Sequence, residues 1–175
     1  MAKIFFTADT HFNHKVMAEI RGFLTMAAHD EFIIDLWNET VSKRDEVYHL
    51  GDFCFGDHER VRHYRGLLNG KIHLVLGNHD HANRVENIQG LFTSVSDIKI
   101  LKLQKKRIVL CHYAMRVWPA SHHNSYQLYG HSHGKLGGLG KQFDVGLESN
   151  DYRILSSEEV LLRLEKLSDN LNFIH

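Results

Sequence analysis

Side chains that can bind metal ions recur at five points along the chain, each directly after a short apolar segment. They are Asp9-Thr10-His11, Gly51-Asp52, Gly77-Asn78-His79-Asp80, His112 and Gly130-His131-Ser132-His133. Carboxylate, amide and imidazole donors suit Mn, Fe, Zn or Ni, whereas thiolates do not occur at these positions. The donors are too many for one ion but would fill two ions that share a carboxylate. Two ions about 3.5 to 4 Å apart can activate water and stabilise displacement at phosphorus. The set therefore predicts hydrolysis of a phosphate ester.

Each of these residues has an ordinary explanation when it is considered alone. An aspartate after a strand more often caps a helix or forms a turn, and a histidine there is more often a satisfied surface or core residue. In open α/β sheets, however, ligands collect beyond the carboxyl ends of the strands. Because all five strand ends deliver Asp, Asn or His, coincidence explains the set poorly.

The apolar segments before these residues alternate with helical patterns in the first half of the chain. We predict strands at 3–8, 47–50 and 71–76 and helices at 29–44 and 58–68, with Asp30 or Thr25 capping the first helix. Such alternation is typical of parallel strands with crossover helices. In the second half, segments 94–103, 107–111, 126–130 and 142–145 predict further strands. A C-terminal helix should begin at a capping box of Ser156 and Glu159. Two packed sheets flanked by helices follow from this order.

Length, composition and charge narrow the class of protein. The 175 residues contain no linker-like tract and fit a single domain, 1–175, with an ordinary globular composition of 43% hydrophobic and 24% charged residues. Lys+Arg and Asp+Glu both number 21, so no net positive field is present to hold a long phosphate backbone. The two cysteines form no CxxC pair, the start lacks a signal-peptide pattern, and no apolar run approaches a membrane span. We expect a cytoplasmic protein with buried thiols and no membrane contact.

The five blocks, in this order, resemble the motif series of the calcineurin-like metallophosphoesterase superfamily: D-x-H, G-D, G-N-H-[DE], H and G-H-x-H. The resemblance covers residues 4–133, and segment 143–146 with the last helix is similar to the closing strand and helix of that family. The segments DTHFNH at 9–14 and HYAMRVW at 112–118 resemble small, uncapped bacterial and phage members. The resemblance implies an α/β fold, a four-layer α/β/β/α sandwich of two mixed sheets flanked by helices, without a cap domain.

The resemblance also implies a role for each block. It implies a first ion on Asp9, His11 and His133, a second ion on Asn78, His112 and His131, and a bridge between them through Asp52. His79 would be the catalytic histidine that helps the leaving oxygen depart, and Asp80 would orient its imidazole through the other ring nitrogen. The cofactors would be two divalent ions, Mn before Fe, Zn or Ni, with a bridging hydroxide as the nucleophile.

Three further residues are candidates for contact with the substrate, and for each the alternative is an ordinary surface or loop residue. His14 lies three residues beyond His11, Arg21 could pair with a phosphate oxygen, and His123 lies in the loop between two of the blocks. Gly22, where similar sequences often have proline, predicts a loose placement of Arg21. The histidines without a motif, among them His49, His81 and His175, we expect to be structural or surface residues.

The sequence leaves the substrate open. The leading hypothesis is a phosphomonoesterase or phosphodiesterase for a nucleotide-like or other small phosphoester, because a site without a cap is accessible. A metal-dependent nuclease is the alternative within this class. The basic segment 99–107 would then contact a phosphate backbone, whereas its other interpretation is an edge strand protected by lysines. A non-catalytic protein-interaction scaffold of the same fold is the alternative from another class, although such members typically lose ligands.

Overall fold

The first sheet of the computed structural model, which describes residues 2–80 and 88–174, combines parallel strands with one antiparallel edge. His81 and His175 lie outside the described residues. The strands are β1 (Ile4–Thr7), β2 (Glu46–His49), β3 (Lys71–Val75), β4 (Ser94–Ser96) and β9 (Leu155–Ser156), in the order β4-β3-β2-β1-β9. Strands β1 to β4 run parallel, and β9 pairs antiparallel with β1.

The second sheet contains an antiparallel hairpin followed by two parallel neighbours. Its strands are β5 (Ile98–Leu103), β6 (Lys106–Cys111), β7 (Tyr126–Tyr129) and β8 (Gln142–Asp144), in chain order across the sheet. Strand β5 is antiparallel to β6, whereas β6, β7 and β8 run parallel. The α-helices bounded within the described residues are α1 (Lys15–Ile20), α2 (Met26–Thr40), α3 (His58–Leu67) and α4 (Ser157–Lys166).

Alternating side chains of β1 and β2 build two apolar cores on opposite faces of the first sheet. Phe5 and Val47 pack with buried residues of α2 and α3, whereas Phe6 and Tyr48 pack with the second sheet and α4. A strand directs successive side chains to opposite faces, and burial of one large apolar side chain stabilises by about 1.5–3 kcal/mol. The predicted α/β fold of two mixed sheets with flanking helices is confirmed.

The long helix α2 begins and ends earlier than predicted. Thr25 is its N-cap and accepts a hydrogen bond from the amide of Ala28 at 3.1 Å, whereas Val41 is already extended. Asp30, the other proposed cap, lies inside the helix, where it accepts from the hydroxyl of Tyr64 at 2.6 Å. Side-chain capping by Thr25 therefore sets the start of the helix.

Two other local predictions have different outcomes. The capping box at the start of α4 is confirmed, since Ser156 and Glu159 make both reciprocal bonds. The segment 94–103, predicted as one strand, is two strands in different sheets: β4 pairs with β3, and β5 pairs with β6. The chain thus crosses between the sheets at Asp97, which apolar patterning alone does not reveal.

The cysteines are free and buried, as predicted. Burial raises the pKa of the thiols of Cys54 and Cys111, so both stay protonated near neutral pH. Among residues 2–80 and 88–174, no helix is long and apolar enough to cross a bilayer.

Candidate metal centre

The five strand ends meet where the two sheets come together. Beyond β1 and β2, the amide of Asp9 donates to the carbonyl of Gly51 at 2.9 Å, and beyond β6 and β7, the amide of Gly130 donates to the carbonyl of His112 at 3.0 Å. An isolated parallel bridge between Ala8 and Gly146 joins the two sets of strand ends. Candidate ligands from both sheets therefore face one place.

Carboxylate and imidazole atoms at this place form three overlapping groups, each with its atoms within 4.8 Å of one another. The groups are Asp9, His11 and His133; Asp52, His112 and His131; and His11, Asp52 and His79. Oδ2 of Asp52 lies 3.6 Å from Nε2 of His11 and 3.5 Å from Nε2 of His112, so it stands between the first two groups. Oδ1 of Asn78 lies 3.2 Å from Nε2 of His112. The structure thus brings all seven predicted ligands together.

Two buried atoms of the first group have no hydrogen-bond partner within the described part of the chain: Oδ1 of Asp9 and Nε2 of His11, which lie 3.9 Å apart. An unsatisfied buried polar group costs about 1–3 kcal/mol. A divalent cation between them would satisfy both, and the oxygen and nitrogen donors suit a medium-hard ion. The residues therefore fit the metal that the resemblance implies.

Two candidate ligand histidines are each oriented through one ring nitrogen. Nδ1 of His112 donates to the carbonyl of Leu50 at 2.7 Å, which leaves Nε2 on the side of Asp52. Nδ1 of His133 donates to Oε1 of Glu148 at 2.9 Å. Such contacts fix the tautomer and raise the basicity of the nitrogen that faces a metal.

The backbone of five candidate ligands adopts the left-handed region that non-glycine residues seldom occupy. The φ values are 59° at Asp9, 49° at His11, 56° at Asp52, 65° at His131 and 46° at His133. Each such residue costs about 1–3 kcal/mol and persists only where the surroundings hold it, typically at functional sites. The surroundings here include hydrogen bonds from the amides of Asp9 and His11 to the strand end beyond β2. The strained turns direct these side chains toward one another.

Burial makes charge costly in the first group. It raises the pKa of Asp9 to about 8, against the opposing effects of His112 and His133, and it lowers the pKa of His11 to about 2. Burial also acts to raise the pKa of Asp52, but His112, together with the amide of His79 and the charge of His11, holds that pKa below its ordinary value. A bound cation would favour the carboxylate form of Asp9 and leave His11 neutral.

The guanidinium of Arg21 is buried and hydrogen-bonded within the protein. This corrects the prediction that Arg21 contacts the phosphate and that it is loosely placed. Its side chain is 1% exposed, and its Nε donates to Oε1 of Glu148 at 2.8 Å. The remaining nitrogens donate to the carbonyls of Thr10 at 3.1 Å and Asp9 at 2.6 Å. Burial acts to raise the pKa of Glu148, but the hydrogen bond from His133 and the charge of Arg21 hold it at about 2. The guanidinium therefore stabilises the loop that carries the candidate ligands Asp9 and His11.

Asp80 does not orient His79 as predicted. Its Oδ2 accepts from the amides of Asp52 and Gly77, both at 2.8 Å, and its Oδ1 accepts from the amide of Phe53 at 3.0 Å. Burial raises its pKa to about 6, although these amides oppose the shift. Because backbone amides occupy both oxygens, Asp80 braces the turn that carries Asp52 instead of the imidazole.

His79 and His14 lie beside the first group, as their predicted substrate contact requires. The imidazole of His79 is 33% exposed, and its Nε2 lies 3.9 Å from Oδ2 of Asp52. The ring of His14 lies 5.4 Å from that of His79 and 5.3 Å from that of His11.

His123 lies at the opposite end of the second sheet, which corrects its predicted place in the substrate pocket. It lines a groove of about 840 Å³ together with Lys102, Lys106, Tyr126 and Lys141. These residues stand at the amino ends of β6, β7 and β8 or in the hairpin before them, whereas the candidate ligands follow the carboxyl ends. A loop between two ligand blocks must return to the start of the next parallel strand, and this return carries His123 away.

Two residues outside the predicted set, Asp144 and Glu148, support the turns that carry candidate ligands. Asp144 accepts from the hydroxyl of Ser132 and from the amide of Gly146, so it braces the turn between His131 and His133. Asp144 ends β8, and the rule that located the other blocks could have found it. Glu148 lies in a short 3-10 helix beyond that strand and carries no local signal.

A comparison with known protein families identifies the family of this chain. A sequence profile of the calcineurin-like phosphoesterase superfamily domain matches residues 2–137. This chain belongs to the calcineurin-like phosphoesterase superfamily. Its family implies divalent metal ions, and this chain has the His and Asp clusters that could hold them.

Similar proteins occur in archaea, phages and bacteria. Over 84 residues, this chain is 37% identical to an uncharacterised protein of Methanocaldococcus jannaschii and 36% identical to the Gene 66 protein of Mycobacterium phage L5. Each match covers 46% of this chain, and it spans 48% and 41% of those relatives, respectively. The crystal structure of a protein of unknown function from Aquifex aeolicus has a TM-score of 0.75 and 25% identity, covering 93% of this chain and 100% of that one.

Proposed function

We propose that this chain is a dinuclear metal-dependent phosphoesterase, a single domain over residues 1–175 without a cap, that hydrolyses small phosphomonoesters or phosphodiesters. The observation that carries the proposal is the position of Asp52, within 3.6 Å of His11 and 3.5 Å of His112. A carboxylate between two groups of imidazole donors could contribute to the binding of two neighbouring cations. Mn is the first candidate for both ions, before Fe, Zn or Ni.

The residues divide between the two ions and the substrate. Asp9, His11 and His133 would hold the first ion, Asn78, His112 and His131 the second, and Asp52 both. Divalent ions bound there would lower the pKa of water and stabilise charge developing at phosphorus.

His79 supplies the proton for the leaving oxygen in this proposal. Its amide donates to Oδ1 of Asp52 at 3.0 Å, which fixes the backbone, while its imidazole stays partly open to solvent. An imidazole can hold a proton near neutral pH and release it as the ester bond breaks. His14, beside it, contacts the phosphate or the departing group.

The placement of the basic hairpin argues against a nuclease. Its lysines line the groove at the amino ends of β6 and β7, opposite the candidate ligands. They therefore do not form a basic surface along which a phosphate backbone could reach the candidate metal centre. The complete set of candidate ligands likewise favours an enzyme over a scaffold, because strained backbone positions typically cluster at functional sites, and five of these residues share such strain.

The test is a screen of the Mn-loaded protein against mono-, di- and cyclic phosphoesters, with His79→Ala and the exposed-site control His63→Ala. We expect at least one ester class to be hydrolysed. His79→Ala should lower kcat by about 10²–10⁴-fold, while His63→Ala should match the wild type. Full turnover by His79→Ala would refute the acid role, and hydrolysis of none of the esters would refute the function.

A further inference from the structure

Phe55 exposes a phenyl ring at the metal centre although its backbone is fixed. Its amide donates to the carbonyl of Phe12 at 2.8 Å, and its carbonyl accepts from Nδ2 of Asn13 at 2.8 Å. The two preceding side chains, Phe53 and Cys54, are buried, yet Phe55 is 48% exposed. A rigidly held backbone thus presents a large apolar ring to solvent beside polar ligands.

The ring of Phe55 contacts the two histidines expected to face the substrate. Its centroid lies 4.6 Å from that of His14 and 5.8 Å from that of His79, and both pairs meet edge to face. The two imidazoles lie 5.4 Å apart. The three side chains form one cluster, the aromatic rim, defined as His14, Phe55 and His79.

The aromatic rim lies on the side where the leaving group must depart. His79 gives its proton to the leaving oxygen, so the organic group on that oxygen lies on the side of His79, next to Phe55. A second half-exposed ring, Tyr113, lies on the other side, 4.9 Å from the rings of both His112 and His131. A monoester has one organic group, which the geometry therefore places against Phe55 and not against Tyr113.

We propose that Phe55, with His14, forms a subsite for a planar ring in the leaving group, so that the enzyme prefers phosphoesters of nucleosides or aryl alcohols over those of plain sugars or alkyl alcohols. This inference rests on the proposed function, because it takes the direction of departure from the role of His79. Stacking of a base on an exposed aromatic side chain is tolerant of base identity. The preference is thus for a class of ring and not for one nucleobase.

Adenosine 5′-monophosphate and ribose 5-phosphate test the proposal, because they share the phosphate and the ester oxygen and differ in the base. Their dissociation constants are measured by calorimetry on the Mn-loaded full chain, together with their inhibition of p-nitrophenyl phosphate turnover. The variants are Phe55→Leu, which keeps apolar bulk, Phe55→Trp, which keeps a ring, and Tyr113→Leu. Phe32→Leu is the matched control, since Phe32 is a phenylalanine of α2 with 41% exposure that contacts Phe23 and Tyr152.

The wild type should bind the nucleotide about tenfold more tightly than the sugar phosphate. Phe55→Leu should bring that ratio close to one by weakening the binding of the nucleotide alone. Phe55→Trp, Tyr113→Leu and Phe32→Leu should keep the ratio of the wild type. A wild-type ratio near one, a parallel loss of both ligands in Phe55→Leu, or a ratio lost in Tyr113→Leu instead would overturn the subsite. These results would not contradict the proposed function if esters are still hydrolysed. Absence of all hydrolysis would refute both the proposed function and the subsite.

Discussion

Nδ1 of His133 donates a hydrogen bond to Oε1 of Glu148 at 2.9 Å, and this bond ties a candidate ligand to the buried guanidinium of Arg21. The imidazole of His133 contacts the carboxylate of Glu148, which contacts the guanidinium of Arg21. This guanidinium also donates to the carbonyl of Asp9. The contacts that support the candidate ligands His133 and Asp9 therefore come from two distant residues, Glu148 and Arg21, and each can be tested.

Glu148→Gln should weaken binding of the first Mn ion. A neutral amide accepts less strongly from Nδ1 of His133 and no longer pairs with Arg21, so the imidazole loses basicity and orientation. Loss of such a partner typically costs about 10–100-fold in metal affinity. Calorimetric titration with Mn measures it, with the exposed-site variant Glu31→Gln as control. Equal affinity in Glu148→Gln and the wild type would contradict the role assigned to the carboxylate.

Arg21→Met should destabilise the fold itself. Removal of one partner from a buried ion pair leaves an uncompensated charge and costs about 3–5 kcal/mol in the free energy of unfolding. Urea denaturation of the metal-free protein checks this, and Arg44→Met at an exposed position should lie within about 0.5 kcal/mol of the wild type. Because Arg21 and Glu148 interact, the double variant with Glu148→Gln should lose less than the sum of the two single losses. Strict additivity would argue against the pair.

Gly77→Ala should displace Asp52. A Cβ atom at position 77 would lie 2.3 Å from Oδ1 of Asp52 and 2.5 Å from its amide nitrogen, so the carboxylate or the turn must move. We expect loss of Mn binding together with turnover, measured by metal analysis and activity. Gly66→Ala is the control: its Cβ would meet nothing within 4 Å, and alanine in α3 should stabilise by about 0.5–1 kcal/mol. Normal Mn binding by Gly77→Ala would contradict the steric argument.

Mn should stabilise the folded protein, since the unfolded chain does not assemble ligands from both sheets. At a free concentration about 100-fold above the dissociation constant, the gain is about 2.7 kcal/mol, or roughly 5–10 °C in Tm. Differential scanning fluorimetry with Mn and with a chelator measures it. Asp9→Asn should remove most of the gain, whereas Asp35→Asn, at an exposed position, should keep it. An identical Tm with Mn and with chelator would contradict the site.

The sequence predicted the blocks well because strand ends are local features. A short apolar segment followed by Asp, Asn or His is readable in a few residues, and parallel strands place their carboxyl ends together. That rule predicts that the blocks around Asp9, Asp52 and His112 lie close together, whereas the division of their residues between two ions comes from the family resemblance. Thr25 and the capping box at Ser156 are equally local.

The errors concern contacts made over long separations in the chain. Arg21 meets Glu148 across 127 positions, and no spacing rule connects them. The carboxylate of Asp80 follows His79 directly, yet the turn directs it to backbone amides around Asp52. His123 is close to the blocks along the chain but lies at the far end of the sheet, because its loop returns to start the next parallel strand.

The metal content of the reconstituted protein tests the central claim most directly. Wild type, Asp52→Ala and the exposed-site control Asp35→Ala are loaded with Mn, freed of excess ion and analysed by inductively coupled plasma mass spectrometry, with phosphoesterase turnover measured on the same samples. We predict two ions per chain in the wild type and the control, and at most one ion with loss of turnover in Asp52→Ala. Two ions retained by Asp52→Ala, or one ion in a fully active wild type, would contradict the bridged dinuclear site.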